Sequence, residues 1–403
     1  MRSFAEAARS LGVDVTLVTD RCHVLDNPWA DNAIPVRFED PAESVQLALH
    51  QLRGLAPDQP IAGLIAVADK PTRAAAMVAE ALGLPWHPPA AAAACRDKSQ
   101  SRRLFETAQL PVPRHRLLSP DEKTNPIAAN AGYPCVLKPL SLSGSRGVIR
   151  ANNPAEFLAA HERIRRLLPE NDAAIQVEQY IPGREFALEG VMTRGRLQTL
   201  AIFDKPDPLE GPYFEETLYV TPSRESAAIQ RAIEETTARA ANALGLFHGA
   251  IHAEMRVWEG RVFMLEIAAR PIGGLCARAL RFHAPGRAEP LSLEQLLVLH
   301  AIGEMPSCLG PAMPASGVMM IPVPRAGILE GVSGLEEARA IPGVDDVMIT
   351  AKPGEKLVPL PEGSSYTGFI FASGERPAAV EQSLRAAHGV LRFDILSALA
   401  VLG

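Results

Sequence analysis

Two apolar stretches joined by a short polar turn constrain the fold of this chain most strongly: AIHAEMRVWEG (250–260) and RVFMLEIAAR (261–270). Each carries one carboxylate inside an apolar strand pattern, Glu254 in the first and Glu266 in the second. A three-residue turn near Trp258–Arg261 would place the two carboxylates directly opposite each other. Like charges at opposed positions destabilise a hairpin. A bound Mg²⁺ removes this conflict, because it accepts one or two carboxylates together with phosphate oxygens.

Two histidines offer an alternative interpretation of the same hairpin as a zinc site, in which His248 and His252 join Glu254. His252 and Glu254 share one face of a strand, whereas His248 falls in the preceding turn. The paired carboxylates therefore predict Mg²⁺ in preference to zinc, with Mn²⁺ as a substitute for the same oxygen ligands. A slip of the register by one residue would separate the pair.

Length and composition exclude several classes of protein. The chain has 403 residues, enough for two or three domains, and a net charge of −6 without a long basic cluster, so nucleic acid is not an expected partner. Five scattered cysteines without a C-x-x-C pair are typical of free thiols in a reducing cytoplasm. No segment approaches the roughly 18 apolar residues of a membrane span, and the start lacks a signal peptide. We therefore expect a cytoplasmic protein.

Residues 1–93 alternate between helical and strand patterns, which favours an open parallel α/β domain. Such a domain begins with a strand, but this chain opens on a helical pattern, FAEAARSLG. We therefore expect the sheet to lack its first strand, with a start of the gene product upstream of Met1. The strand patterns at 13–20 and 61–69 would then become neighbours or leave an exposed gap.

The remaining patterns divide the chain into two further parts. A Pro- and Ala-rich joint at 85–94 leads through a helix at 95–110 into a central domain at 94–305, with a lid subdomain at about 115–177. The last part, 306–403, has the short strands and single helix of a small α+β domain.

A loop of small residues, LSLSGSRGV (140–148), follows a strand that ends in Lys138. Its glycines and serines expose backbone N–H groups, as phosphate-binding loops do. Lys98, in the preceding helix, and Lys138 are compact cations suited to phosphate. The loop is neither a Walker A loop nor a nucleophile elbow. An ordinary Gly/Ser turn is the alternative.

The stretch QVEQYIPGREF (176–186) carries Glu178 and Glu185 on either side of a Pro-Gly turn. A strand that enters a linker offers backbone groups to an adenine edge, and nearby carboxylates can accept from the adenine amino group and from ribose hydroxyls. A hairpin with two exposed acids is an equally consistent alternative.

These elements, in this order, resemble the ATP-grasp superfamily over roughly 94–305 and in the three-part layout of the chain. The ending EIAAR (266–270) is most similar to the L-amino-acid ligases and related carboxylate–amine ligases. The resemblance implies an α/β fold with a central ATP-grasp domain. It also implies the ATP-binding residues, which are Lys98, Lys138, Ser143, Gly144, Ser145, Gly147, Glu178, Gln179, Tyr180, Ile181 and Glu185.

By the same resemblance, Glu178 would meet the adenine amino group and Glu185 the ribose. Gln179 and Ile181 would contribute backbone contacts. Arg270 and Lys138 would be catalytic, with Arg270 stabilising the transferring phosphate and the later oxyanion.

Glu254 and Glu266 would ligate Mg²⁺. Ala268 stands where many members have an Asn metal ligand, which puts a second tightly held ion in doubt.

The implied reaction is ATP-dependent amide formation through an acyl phosphate, with release of ADP and phosphate. Its partners would be a small carboxylate, such as an amino acid, and an amine, and the assembly could be a homodimer. Tyr213, Glu215 and Glu216, in a polar loop at 204–224, are candidates for choosing the substrates. A bicarbonate-using carboxylase of the biotin-carboxylase kind and a non-catalytic ATP-binding protein are the alternatives.

Overall fold

A computed structural model describes residues 2–20, 33–55, 60–120, 122–169, 174–363 and 365–397. These residues form a mixed α/β protein whose strands lie in five sheets. The predicted fold class is confirmed, with N-terminal, central and C-terminal parts in sequence order. The elements of the N-terminal part are α1 (Arg2–Ser10), β1 (Leu17–Thr19), β2 (Ala33–Pro35), α2 (Pro41–Leu55) and α3 (Thr72–Leu82).

Residues 2–12 contain no strand, as the sequence predicted. β1 pairs in parallel with β2, and residues 2–12 contain helix α1 instead of a first strand. The strand predicted at 61–69 is wrong, because residues 61–68 join no ladder in the described part of the chain. In a doubly wound sheet the first strand lies beside this segment and would satisfy its backbone groups. The segment instead packs closely against Ala301, whose carbonyl oxygen would lie 2.3 Å from a Cβ at Gly63.

The Pro- and Ala-rich stretch predicted as a joint is largely helical. The two helices here are α4 (Pro89–Arg96) and α5 (Lys98–Thr107). Proline suits the first turn of a helix and alanine favours its interior, which explains α4. Asp97 separates the two helices, and its side chain caps α5 by accepting from the Gln100 N–H at 3.0 Å. Lys98 is therefore the first residue of α5.

The lid subdomain is a four-stranded antiparallel sheet in the order β3-β6-β4-β5. Helix α7 covers one face and contributes Phe157 and Ile164 to the lid core. The lid elements are β3 (His115–Leu118), α6 (Thr124–Ala129), β4 (Cys135–Pro139), β5 (Ile149–Ala151), α7 (Pro154–Arg165) and β6 (Ile175–Gln179).

An eight-stranded sheet runs through the central and C-terminal parts in the order β11-β10-β7-β8-β9-β15-β19-β17. The central elements are β7 (Arg184–Thr193), β8 (Arg196–Lys205), β9 (Leu218–Thr221), α8 (Ala227–Leu244), β10 (Gly249–Trp258), β11 (Arg261–Ala268), a 3₁₀ helix (Cys276–Ala279), β12 (Arg281–His283), β13 (Leu291–Ser292), α9 (Leu293–Ala301) and β14 (Gly310–Pro311). Helix α8 and helix α9 belong to separate apolar clusters, which include alternate residues of β7. Helices α8 and α9 therefore cover opposite faces of the sheet around β7.

The C-terminal elements are β15 (Ala315–Ile321), β16 (Gly327–Ser333), α10 (Leu335–Arg339), β17 (Val344–Ile349), β18 (Lys356–Leu357), β19 (Gly368–Gly374), α11 (Pro377–Val390) and β20 (Arg392–Leu396). Helix α11 packs on the eight-stranded sheet through Val380 and Leu384. A small sheet, in the order β18-β16-β20, completes this part. Within the described ranges, every helix is too short or too polar to cross a lipid bilayer.

Candidate active site

The β10–β11 hairpin pairs Glu254 directly with Glu266, as the sequence predicted. The predicted three-residue turn is wrong, however. The connection contains only Glu259 and Gly260, with φ of 50° and 71°, and such left-handed pairs suit the twist of two-residue hairpins. A bulge after Glu254 then shifts the register by one residue and brings the two carboxylates level.

Both carboxylates stay partly exposed, each beside a lysine. The side chains of Glu254 and Glu266 are 28% and 35% exposed. Their nearest lysine nitrogens are Lys205 Nζ at 3.6 Å and Lys98 Nζ at 3.7 Å, respectively. These separations exceed hydrogen-bond length, so the ammonium groups balance the charge without capping the oxygens. Two open carboxylates at one place fit the oxygen ligands that Mg²⁺ prefers.

Lys205, at the end of β8, lies among three carboxylates. Its Nζ is 2.9 Å from Glu185 Oε1, contacts Glu216 and faces Glu254. One oxygen from each of these glutamates lies within 4.8 Å of the other two. Burial opposes the charge on the lysine, yet the three carboxylates hold the pKa of Lys205 well above its ordinary value. Lys205 therefore stays an ammonium ion, and it is not among the residues predicted from the sequence.

Glu185, the predicted ribose ligand, is buried between two cations. Besides Lys205, its Oε2 accepts from Arg256 Nε at 2.8 Å. Arg256 also donates to the Ile181 carbonyl oxygen at 2.8 Å and to the Leu209 carbonyl. One guanidinium thus ties the central sheet to the linker after β6 and to the polar loop.

Glu178, the predicted adenine ligand, is buried between Arg102 and Lys138. Its Oε1 accepts from Arg102 Nε at 2.7 Å, and its Oε2 lies 2.5 Å from Lys138 Nζ. Burial alone would raise the pKa of Glu178, but the two cations lower it to about 2. Burial lowers the pKa of Lys138 to about 8, against the attraction of Glu178. Glu178 is therefore an ionised hydrogen-bond acceptor at neutral pH.

The segment between Glu178 and Glu185 crosses from the lid sheet to the eight-stranded sheet, because β6 and β7 belong to different sheets. The alternative of a hairpin with two exposed acids is therefore wrong. The N–H of Gln179 donates to the Arg114 carbonyl at 2.8 Å, and the N–H of Tyr180 donates to the Pro134 carbonyl at 3.1 Å. These bonds fix the linker backbone at the end of β6.

The Gly/Ser loop, residues 140–148, turns sharply at its centre. Gly144, Ser145 and Gly147 have φ of 63°, 56° and 72°. The N–H of Arg146 donates to the Ser143 carbonyl at 3.4 Å, which closes a turn over the glycine. A left-handed backbone with little side-chain bulk is typical of loops that hold anions by their N–H groups.

Arg270 pairs with Asp69 of the N-terminal part. Its Nε lies 2.7 Å from Asp69 Oδ1 and its Nη2 lies 3.1 Å from Asp69 Oδ2, which makes a bidentate ion pair. Burial opposes the charge, but Asp69, Glu266 and Glu254 raise the pKa of Arg270. The guanidinium therefore lies where the N-terminal part meets the carboxylates of the hairpin.

His252 connects the hairpin to the turn that follows Arg270. Its Nδ1 lies 3.1 Å from Glu189 Oε2 and its Nε2 lies 3.4 Å from Glu254 Oε1. Glu189, which is fully buried, also accepts from the Ile272 N–H at 3.1 Å. Burial opposes protonation, but the two carboxylates raise the pKa of His252 to about 9. A protonated imidazole has no lone pair for a metal.

The structure does not bring the proposed zinc ligands together. His248 stacks on His300, with 4.3 Å between ring centroids, and lines a small cavity beside Trp86. His252 instead lies with Glu254 at the hairpin.

The three candidates in the polar loop lie in different surroundings. Glu216 contacts Lys205 and so belongs to the carboxylate group of the hairpin. Tyr213 accepts at its hydroxyl from Arg163 of the lid. Glu215 is half-buried, and burial raises its pKa. Glu216 is thus the candidate nearest to the paired carboxylates.

Arg102, Lys205, Asp69 and Glu189 join the site without having been predicted. Lys205 had a signal, because it ends an apolar strand just as Lys138 does. Asp69 had the same signal, because it ends the apolar run at 61–68. Arg102 lies in ordinary polar surroundings in the sequence, so nothing local distinguished it.

Three family models match the chain in sequence order. They describe an ATP-grasp N-terminal domain at residues 5–86, an ATP-grasp domain at 131–279 and an L-amino acid ligase C-terminal domain 2 at 319–395. The chain therefore belongs to the ATP-grasp superfamily, whose members use ATP with Mg²⁺.

Similar proteins indicate the branch of the superfamily. The crystal structure of an L-amino acid ligase from Bacillus licheniformis matches with a TM-score of 0.80 and 26% identity, over 98% of this chain and 96% of that one. A D-alanine–D-alanine ligase from Pseudomonas entomophila is 26% identical over 225 residues, 54% of this chain and 68% of that protein. Dapdiamide A synthase from Enterobacter agglomerans is 26% identical over 273 residues, 66% of this chain and 63% of that protein. The chain lies in the carboxylate–amine ligase branch, whose members form C–N bonds and release ADP.

Proposed function

We propose that the protein joins the carboxylate of an amino acid to an amine substrate while ATP is converted to ADP and phosphate. The proposal rests on one observation. Near the open end of the β10–β11 hairpin, away from its turn, Glu254 pairs with Glu266, and Lys205 and Lys98 lie beside them. Arg270 lies two residues after the end of β11, in the segment that leaves the hairpin. Carboxylates for a metal and cations for phosphate are the parts that phosphoryl transfer requires.

In this proposal ATP binds between the lid and the eight-stranded sheet. Lys98 and Lys138 hold its phosphates, with Lys205 as a third cation. The Gly/Ser loop from Ser143 to Gly147 covers the phosphates and offers them the backbone N–H groups of Ser143, Gly144 and Ser145, since those of Arg146 and Gly147 donate within the protein. Positive charge and oriented N–H groups are effective here because a closed site excludes competing water.

The adenosine would lie at the linker after β6. Glu178, ionised by its two cations, accepts from the adenine amino group. Gln179, Tyr180 and Ile181 line the base with backbone and ring atoms. Glu185 is the proposed acceptor from the ribose hydroxyls, in addition to its contacts with Lys205 and Arg256.

Glu254 and Glu266 are the proposed ligands of Mg²⁺, for which Mn²⁺ could substitute. When bound, the ion would neutralise negative charge on the phosphates. Ala268 offers no side-chain oxygen, so a second ion would have to rely on the two glutamates and on ATP itself.

The reaction then has two steps. An oxygen of the substrate carboxylate attacks the γ-phosphorus, and the bond to the bridging oxygen of ADP breaks. The lone pair of the amine next attacks the acyl-phosphate carbon, the C–O bond to phosphate breaks, and the amine loses a proton. Arg270 stabilises the negative charge of both transition states. The nucleophiles come from the substrates, so the protein acts mainly by positioning and charge.

An amino acid is the proposed carboxylate because an L-amino acid ligase and dapdiamide A synthase are among the similar proteins. The polar loop at 204–224 would choose the substrates, with Tyr213, Glu215 and Glu216 as the residues to test. Glu216 is the first choice, since it contacts Lys205 beside the hairpin.

The test is a screen of amino acids, singly and in pairs, with Mg-ATP and scored for ADP. Hydroxylamine should trap the acyl phosphate as a hydroxamate even before the natural amine is known. Arg270→Ala should lower the rate by about 100- to 1,000-fold, the scale for one preorganised charge-stabilising donor. Arg261→Ala, at the exposed opposite end of the hairpin, is the matched control and should keep full activity.

Three results would contradict the proposal. Turnover that depends on bicarbonate alone would indicate a carboxylase, and ATP binding without cleavage would indicate a non-catalytic protein. Release of AMP instead of ADP would exclude an acyl phosphate.

A further inference from the structure

A turn of the C-terminal part, residues 358–363, contacts the Gly/Ser loop. The N–H of Gly147 donates to the Pro361 carbonyl at 3.0 Å. Beside it, Arg146 Nε donates to the Glu362 carbonyl at 2.8 Å. Two hydrogen bonds therefore tie the end of this loop to a part of the chain more than two hundred residues away.

The same turn also holds the lid helix. The Glu362 carboxylate forms a bidentate pair with Arg163 of α7, at 2.5 Å to Nε and 2.8 Å to Nη2. Arg163 additionally donates to the Tyr213 hydroxyl of the polar loop. A cavity of about 570 Å³ lies between α7 and residues 210–213, so the Arg163 contacts bridge a space that side chains do not fill.

The turn is itself well anchored. The N–H of Gly363 donates to the Pro359 carbonyl at 2.9 Å. A Cβ at Gly363 would lie 1.8 Å from the Val358 carbonyl oxygen, so the backbone folds back tightly on itself. Strands β18 and β19 flank the turn and place it on the C-terminal sheets.

The opposite end of the Gly/Ser loop is held from another direction. Lys98 Nζ donates to the Leu142 carbonyl at 3.0 Å. The same ammonium lies 3.7 Å from Glu266. The loop is thus fixed at Leu142 by a cation of the hairpin site and at Gly147 by the C-terminal turn.

We propose that Glu362 is a positioning residue. Its turn holds the Gly/Ser loop and the lid in the arrangement that closes over a nucleoside triphosphate. The ligand in this statement rests on the proposed function, whereas the contact between turn and loop does not. The C-terminal part would then act on nucleotide binding without touching the nucleotide. Closure of a lid over phosphates is a step that often limits turnover.

The test compares Glu362→Ala with Glu337→Ala, a control at an exposed position on α10. Hydrogen exchange in nucleotide-free protein should become faster at residues 140–148 in the first variant only. The Kd of a non-hydrolysable ATP analogue with Mg²⁺ should rise about fivefold, the most that an exposed ion pair usually contributes. An unchanged melting temperature would show that the fold is intact.

Arg163→Ala and the double variant complete the experiment. If the two side chains act as one contact, adding Glu362→Ala to Arg163→Ala should increase exchange and Kd no further, although Arg163→Ala also removes the bond to Tyr213. Unchanged exchange at 140–148 in Glu362→Ala, or independent effects that add in the double variant, would overturn the positioning role. If the wild-type protein failed to bind ATP, the proposed function would fall, and the exchange data would still decide the contact.

Discussion

Two groups of carboxylates in this protein are built in opposite ways. Around Glu178 the group is closed, because Arg102 and Lys138 bind one carboxylate oxygen each and leave the residue 4% exposed. At the hairpin the group is open, because Glu254 and Glu266 face each other and stay 28% and 35% exposed. A lysine lies near each of the three carboxylates, but Lys138 is within hydrogen-bond distance of Glu178, whereas Lys205 and Lys98 lie 3.6 and 3.7 Å from Glu254 and Glu266.

In the closed group the charge of Glu178 stabilises the fold, and the proposed contact with adenine comes in addition, whereas in the open group no cation is bound to either carboxylate at hydrogen-bond distance. A buried carboxylate whose oxygens are both bound by cations joins α5 to the lid sheet and is costly to disturb. An open pair of like charges gains from any cation that enters, and Mg²⁺ with phosphate is such a ligand. We therefore expect substitutions in the closed group to affect stability, and substitutions in the open group to affect turnover.

The largest expected effect is on turnover in the open group. Glu266→Gln should reduce metal-dependent ADP release by about 1,000-fold, because it removes a charged oxygen ligand where phosphoryl-transfer charge develops. The free energy of unfolding should change by less than about 1 kcal/mol, since loss of like-charge repulsion and loss of the distant Lys98 partner offset each other. Steady-state ADP release and urea unfolding measure the two quantities. Near-normal turnover would show that Glu266 is not a metal ligand.

The second expected effect is on stability in the closed group. Glu178→Gln should lower the free energy of unfolding by about 3 kcal/mol, because two buried cations lose their counter-ion. Urea unfolding at neutral pH, with Glu266→Gln as the matched control, measures it. Equal stability of the two variants would show that the closed group does not stabilise the fold more than the open group does.

The pH dependence of the wild type provides a further check on Glu178. Its pKa of about 2 in the folded protein lies below the ordinary value of 4.5. The folded state thus binds fewer protons than the unfolded state between these values, so the stabilisation is complete above about pH 4.5 and is lost as the pH falls towards 2. The stability of Glu178→Gln should depend less steeply on pH in this window.

The open group was largely predictable from the sequence, and the reason is local. Glu254 and Glu266 lie in neighbouring strands of one hairpin, so strand alternation alone brought them close together. The bulge compensated for a turn one residue shorter than predicted. Bulges depend on the packing of a whole sheet, so the sequence pattern did not reveal this one.

The closed group was predicted only in part, because its contacts cross long distances in the chain. Arg102 lies 76 residues from Glu178, and outside this group Asp69 lies 201 residues from its partner Arg270. Arg102 breaks no local pattern, and Asp69 ends an apolar run without any sign of its partner, so only the folded chain identifies these two contacts. The strand predicted at 61–69 failed for a related reason, since an apolar pattern predicts burial but cannot supply a ladder partner.

The smallest expected effect concerns the ion pair of Asp69 and Arg270. It is intermediate between the closed and the open group, because the pair is hydrogen-bonded but Asp69 is 34% exposed. Asp69→Asn should lower kcat/KM about tenfold, because a neutral amide cannot make the bidentate, charge-assisted contact that aims the guanidinium at the hairpin. The Asp69 carbonyl, which accepts from Thr72, is unchanged, so the start of α3 and the melting temperature should be preserved. Hydroxamate formation at saturating ATP measures the effect on the first step. Faster hydroxamate formation would mean that Asp69 competes with the substrate for Arg270 and does not position it.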